Sequence, residues 1–220
     1  FRIMLPDIMP DLKKIIYLDS DLFVNTDIEE LWNLNIDNYC LAAAPDCSTI
    51  RNWGTPYAVA AGQTSRDGYF NAGVLCMNLE NIRKNGSLFQ QVMDYLSDNP
   101  RTWLPDQDAL NAIFSGKTLL IDEKWNYFID EARKNNEKAE KKIYHYAATL
   151  LMLYTNNEID RAYYFTILRT PWGKQVEDGL LSRSMGRIVD RTGMLEKLLK
   201  KSTQNNIRFV FYGGEDSSIR

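Results

Sequence analysis

Apolar residues come along this chain in short dense runs, each closed by an acid, an amide or a glycine. Ile15, Ile16, Tyr17 and Leu18 run straight into Asp19, Ser20 and Asp21. An apolar stretch of that length bounded by polar residues reads as a buried parallel strand. Side chains alternate along an extended segment, so Asp19 and Asp21 face one way and Ser20 the other. A second run, 39–46, ends on Asp46, and a third, 69–79, holds Asn71, Ala72 and Gly73. A glycine inside a strand marks close approach of another backbone or a ligand. Between them, residues 47–68 are polar and glycine-bearing and read as a long loop, usually functional or mobile.

Further along, spacings of three and four residues take over. Leu88, Val92, Tyr95 and Leu96 predict a helix within 81–99, with Pro100 behind it. The clearest helix is 105–116, with Pro105 at its start, Asp106 and Asp108 in its first turn and Gly116 at its stop. Residues 27–36 read as a short helix capped by Asp27 or Thr26, 118–122 as a short strand and 124–128 as an aromatic connector. Residues 130–142 are charged and read as exposed. The run 143–154 is apolar and contains the only histidine, His145, and 157–172 predicts an amphipathic helix stopped by Pro171.

Length and composition then narrow the class. At 220 residues one α/β domain is the natural expectation, large enough to bury about 70% of its chain surface. A net charge of −3 argues against a dedicated nucleic-acid surface. The aromatic fraction, 12%, suits stacking on bases or sugars and equally suits a plain core. Cys40, Cys47 and Cys76 are odd in number and lack paired metal spacing, which points to a reduced compartment. No segment approaches the ~18 apolar residues of a membrane span. Without a visible signal peptide either, the expectation is a cytoplasmic protein, either free or peripheral at the inner face of the membrane.

The acid pair carries the first chemical hint. Two carboxylates at the mouth of a sheet repel each other and lose hydration, so the site calls for a cation. Hard oxygen ligands suit magnesium or manganese. A solvated strand-end turn explains the same residues, since Asp and Ser favour turns. A lone histidine in an apolar run is likewise more often a satisfied core residue than a ligand.

The order of the pieces adds what none supplies alone. The DSD at 19–21, YFNAGVLCMNL at 69–79, PDQDALN at 105–111, WNY at 125–127 and a histidine in an apolar run together resemble glycosyltransferase family 8. The similarity spans residues 2 to about 172, and AYYFTILRTPWGK resembles a tyrosine-rich helix near the family's C-terminus. The resemblance implies a partial GT-A fold, with a mixed, mostly parallel central sheet and flanking helices, and a retaining transfer from a UDP-sugar. It also implies a metal, manganese or magnesium, held by Asp19, Asp21 and His145. Asn71, Ala72 and Gly73 then lie against the donor sugar, with Asp106, Gln107 and Asp108 reaching it from the opposite side. Ser20 and Asp46 complete the donor and acceptor contacts, and Gln107 and Asp106 are the catalytic candidates.

One departure is conspicuous. The family follows its histidine with a Gly and then Lys-Pro-Trp, whose Gly and Lys meet the diphosphate, whereas Ala148, Leu151, Met152 and Leu153 stand at those places here. Leucine for lysine removes a positive charge from the phosphate pocket, so either another basic residue substitutes or donor binding is weak.

The chain reaches its acid pair almost at once from Phe1, which suggests a nucleotide-binding half upstream. Residues 1–180 are expected to form the transferase domain, 181–205 a basic helical tail or linker, and 206–220 the first strand of a further domain. Three functions are in contention. The first is transfer of a hexose, glucose or galactose, to an oligosaccharide or lipid-linked glycan acceptor in bacterial surface polysaccharide synthesis. The second is a catalytically silent sugar-binding or scaffold module. The third is a phosphohydrolase of the haloacid dehalogenase type, which would need a downstream lysine and acidic pair that the chain does not offer.

Overall fold

The computed structural model describes residues 1–147, 149, 157–175 and 178–179. They fall in two units, Phe1–Thr149 and Leu150–Arg220. In chain order a 3-10 turn (Arg2–Met4) leads into helix α1 (Leu5–Ile8), strands β1 (Lys14–Leu18) and β2 (Leu22–Val24), helix α2 (Glu29–Trp32) and strand β3 (Leu41–Pro45). Helices α3 (Cys47–Asn52) and α4 (Tyr57–Ala60) precede strand β4 (Phe70–Asn78), and helices α5 (Leu79–Arg83), α6 (Leu88–Asp98) and α7 (Pro105–Ile113) follow it. Strand β5 (Thr118–Leu120), a 3-10 turn (Glu123–Asn126), strand β6 (Tyr127–Phe128), helix α8 (Ile129–Lys134) and strand β7 (Ile143–His145) complete the first unit. Helix α9 (Glu158–Leu168) belongs to the second.

Strand β4 organises the first unit. Its first eight residues are all buried, because alternate side chains enter two different cores. Leu75 and Met77 join Leu41 and Ala43 of β3 against Leu79, Ile82, Leu88, Val92 and Leu110 of α5, α6 and α7. Val74 and Cys76 join Ala42 against Leu31, Ile36, Trp125 and Ile143. A fully buried side chain of this kind contributes about 1.5–3 kcal/mol, so the sheet is held from both faces.

The sheets are mixed, as expected, but not mostly parallel. The larger has the order β1-β4-β3-β5 and the smaller β2-β7-β6. Strand β4 runs antiparallel to both β1 and β3, β2 runs antiparallel to β7, and among the described residues only β3–β5 and β6–β7 are parallel. A continuous apolar run reports burial of both faces and says nothing about direction. The parallel reading of 15–18 is therefore corrected. Strand β1 is antiparallel, half-buried along its length, and has β4 as its partner.

Other local expectations shift for identifiable reasons. The 47–68 segment is not all loop: Asp46 caps α3 by accepting from Thr49 N, and α4 follows. The helical stretch 81–99 is divided at Gly86, whose φ of 86° breaks the pattern, and Ser87 recaps it by accepting from Gln90 N. In the charged stretch 130–142, α8 forms and buries Ala132. The aromatic connector becomes a 3-10 turn and β6. Helix α9 opens with Asn157 accepting from the Ile159 and Asp160 amides and ends at Arg169, ahead of Pro171, as the pattern predicts. Leu151, its neighbours and everything expected of 181–220 lie outside the described residues. No described helix is long and apolar enough to cross a membrane. Cys40 and Cys76 are free and buried, and burial pushes both thiols up.

Candidate active site

Two backbone connections bring the acid pair to the histidine. Beyond the end of β1, Asp19 N donates to Gly73 O at 2.8 Å, which extends the pairing with β4. Directly after Asp21 the chain enters β2, where Leu22 lies opposite His145 of β7, and Tyr146 N donates to Asp21 O at 2.9 Å. His145 Nε2 thereby comes to 3.3 Å from Asp21 Oδ1 and 4.0 Å from Asp19 Oδ2. One ligand atom from each of the three residues lies within 4.8 Å of the others. Two carboxylate oxygens and an imidazole nitrogen are a donor set that suits manganese or magnesium. The hydrogen bond to His145, opposed by burial, holds the Asp21 carboxyl below its ordinary value.

Asp19 has a second set of partners. Its Oδ1 accepts from Arg2 at 2.8 Å and from the Tyr17 hydroxyl at 2.6 Å. Burial first, and then this bond to Asp19, push the Tyr17 hydroxyl up to about 12. Arg2 also donates to Ala72 O, pairs with Asp106 at 3.1 Å and lies over the Tyr17 ring. One guanidinium thus ties the strand end to the start of α7. Asp106 keeps 44% of its side chain exposed, and Ser20 is exposed in the turn between the acids.

Beneath these lies a buried polar wall. Gln107 Oε1 accepts from Ala72 N at 3.0 Å, and its Nε2 donates to Asp46 Oδ2 at 2.8 Å and to the Tyr69 hydroxyl at 3.2 Å. Asp46 Oδ2 also accepts from Asn71 Nδ2 at 3.0 Å, while its Oδ1 caps α3. Asn71 Oδ1 accepts from Gly73 N and from Asn126 Nδ2, both at 2.8 Å, and Asn126 Oδ1 meets His145 Nδ1 at 2.8 Å. The pairing of β3 with β4 shifts register between Ala43 and Pro45, and such a bulge re-aims the side chains that follow.

Asp108 stands apart from the solvent side of this wall. It is fully buried and accepts from Ala58 N at 3.3 Å, from the Tyr69 hydroxyl at 2.9 Å and from the Thr102 hydroxyl. Both buried acids, Asp46 and Asp108, are stabilised by several donors rather than by a cation, as a desolvated carboxylate requires. The described geometry thus brings Asp19, Asp21, His145, Asn71, Gly73, Asp46 and Gln107 into one connected site, with Asp106 joined to it through Arg2. Asp108 fastens Tyr69 and α4 behind it. The sequence reading missed Arg2, Tyr69 and Asn126. Asn126 and Tyr69 carried a signal, through their places in the WNY and YFNAG segments; Arg2 carried none. A cleft of about 220 Å³ opens beside Asp46 and Tyr69 and is also bordered by Ile50, Arg51, Arg66 and Asp67.

Comparison with known proteins places this geometry in context. The profile described as Glycosyl transferase family 8 matches residues 1–150. General stress protein A of Bacillus subtilis is 32% identical over 131 residues, 57% of this chain and 44% of that protein. The lipopolysaccharide 1,3-galactosyltransferase of Salmonella typhimurium is 29% identical over 161 residues, 66% of this chain and 46% of that protein. The chain therefore spans less than half the length of either relative. The crystal structure of galactosyltransferase LgtC with donor and acceptor sugar analogs superposes with a TM-score of 0.62 at 22% identity, over 74% of this chain and 63% of that one. That likeness is one of fold, and the fold is GT-A.

Proposed function

The chain belongs to glycosyl transferase family 8, and from that membership we propose that it moves a hexose, glucose or galactose, from a UDP-sugar to a glycan acceptor with retention of anomeric configuration. The observation that carries the proposal is the convergence of Asp19, Asp21 and His145 beside the Asn71–Gln107 wall. These three side chains would hold manganese or magnesium. When bound, the ion supplies positive charge next to the departing diphosphate.

The remaining chemistry falls to the chain's own groups. Asp106, oriented by Arg2 and nearly half exposed, is the most open carboxylate of the site outside the three proposed metal ligands. Gln107 and Asn71 are held rigidly by backbone donors, so the wall meets the donor sugar without rearranging. Among the described residues of the wall none is well placed as a nucleophile: Asp46 and Asp108 are buried with their oxygens committed, Asp106 is paired with Arg2, and Gln107 is an amide. We therefore assign attack on the leaving-group face, where a diphosphate oxygen takes the proton of the acceptor hydroxyl. The cleft beside Asp46 offers room for the terminal sugar of an oligosaccharide or lipid-linked acceptor. The named activity of the Salmonella relative favours a role in surface polysaccharide synthesis, at the cytoplasmic face of the membrane.

A silent sugar-binding module is the second reading, favoured by Leu151 where the family carries lysine. Turnover separates the two. Purified full-length protein given manganese and a panel of UDP-hexoses is expected to release UDP slowly even without acceptor. Asp21→Ala should abolish release and weaken manganese binding in calorimetry more than His145→Ala, since only the first removes a charge. Absence of turnover with every donor, together with manganese binding untouched in both variants, would leave the silent module standing.

A further inference from the structure

We propose that Asn126 is a positioning residue: it fixes the tautomer and aim of His145, and its own orientation is dictated by the backbone of β4 through Asn71. The inference rests on the reading of Asp19, Asp21 and His145 as a metal site.

Hydrogen-bond direction carries the argument. An amide's oxygen and nitrogen are told apart by their partners, and a backbone N–H can only donate. Gly73 N–H donates to Asn71 at 2.8 Å, so the receiving atom is Oδ1. The other end of Asn71 is then Nδ2, and it faces Asp46 Oδ2 at 3.0 Å, a carboxylate that can only accept there. Because Asn71 Oδ1 is an acceptor, the atom of Asn126 lying 2.8 Å from it is Nδ2. That leaves Asn126 Oδ1 at 2.8 Å from His145 Nδ1, which must carry the proton. A ring with a single proton on Nδ1 presents a bare Nε2 lone pair, and Nε2 is the atom aimed at Asp21 and Asp19. Without a cation Nε2 can share a proton with Asp21; when that proton leaves, Nδ1 keeps its own and the freed Nε2 lone pair is already aimed between the two acids.

The surroundings allow no alternative orientation. Asn126 is 2% exposed and ends a 3-10 turn that Asp122 caps by accepting from Lys124 N, while Trp125 beside it is embedded in the second core. A flipped Asn126 would put two amide oxygens face to face, its own against Asn71 Oδ1, which Gly73 N–H fixes as an acceptor. A parallel chain closes on the same carboxylate: Ala72 N–H fixes Gln107 Oε1, and Gln107 Nε2 reaches Asp46 Oδ2. The residues expected to meet the sugar and the residue expected to hold the metal are therefore wired to consecutive amides of one strand.

The test uses two substitutions and one spectrum. Asn126→Leu removes the acceptor for Nδ1–H and should weaken manganese binding about 10–100-fold, the usual cost of losing a ligand's orienting partner. Asn126→Asp keeps an acceptor and should retain affinity within a few-fold, although it loses the donor to Asn71. A merely structural role would affect both variants alike. Because the chain has a single histidine, long-range proton–nitrogen spectra report His145 alone. Recorded without divalent cations, they should show Nδ1 protonated. An unprotonated Nδ1, or native-like affinity in a folded Asn126→Leu, would overturn the proposal. If the wild-type protein binds no manganese, the metal reading fails by itself, and the spectrum still decides the tautomer. If Asn126→Leu does not fold, the spectrum and Asn126→Asp decide.

Discussion

A Cβ placed on Gly73 would meet His145 Nδ1 at 2.9 Å, its Cε1 closer still, and Asn71 Oδ1 at 3.0 Å. Glycine at this position is therefore a matter of space, not of turn geometry. Relieving such contacts means moving the imidazole, and overpacking of this kind costs about 1–3 kcal/mol. Gly73→Ala is expected to keep the fold while swinging His145 off its line to Asp21. Manganese affinity measured by calorimetry should fall at least about tenfold, with the far-ultraviolet circular dichroism unchanged. An unchanged affinity would mean that the Asn126–His145 contact yields without consequence.

At the scale of elements, the passage from α8 to β7 decides where His145 begins. Helix α8 stops at Asn136, whose φ of 51° is left-handed, with Asn136 N donating to Arg133 O and Glu137 N to Ala132 O. This double closure is a Schellman motif. Glu137 then accepts from the Tyr127 hydroxyl at 2.6 Å and pairs with Lys142 at 3.0 Å, one residue before β7. Burial works to raise the Glu137 carboxyl, but the bonds from Tyr127, Lys142 and Asn135 outweigh it and lower it from its ordinary 4.5. A lowered folded value means that the unfolded chain binds more protons in that window. The stability Glu137 contributes is thus present above pH 4.5 and lost as pH falls through its folded value. Lys142 is raised, with its bonds to Glu137 and Glu140 outweighing burial, so its contribution is full below 10.5 and fades only as pH rises past its folded value. Urea unfolding of wild type and Glu137→Gln should therefore differ near neutrality and converge well below pH 4.5.

At the scale of the molecule, the Asp19–Asp21–His145 cluster depends on β2 and β7 meeting across nearly the whole first unit. Ile143, fully buried beside Val74, Cys76 and Trp125, seats β7 in the second core. Ile143→Ala should cost about 2–5 kcal/mol and weaken manganese binding at the same time. Leu88→Ala, equally buried but under α6 on the other face of the sheet, should cost a similar amount and leave the affinity alone. Thermal denaturation paired with calorimetry measures both. If the two variants lose affinity equally, the site responds to global stability and not to the seating of β7.

Much of this protein is readable from local order along the chain. The apolar run before Asp19, the uninterrupted burial of Phe70–Met77, the Pro105 start of α7 and the stop of α9 before Pro171 all follow from periodicity, caps and breakers, whose causes lie within a few residues. The resemblance drawn from DSD, FNAG and DQDALN reached the family for the same reason, since each motif is a contiguous piece of backbone. What the local signals could not supply is direction and partnership. Nothing within 69–79 says that β4 runs antiparallel to both of its neighbours. Nothing in the opening residues says that Arg2 will stand between Asp19 and Asp106. Nor does WNY reveal that its asparagine sits between Asn71 and His145. Those facts are hydrogen bonds and ion pairs between residues far apart in the chain, and they exist only once burial of the two faces of β4 has brought the segments together. Local order along the chain sets which side chains are available and how each is presented; which of them touch is set by folding.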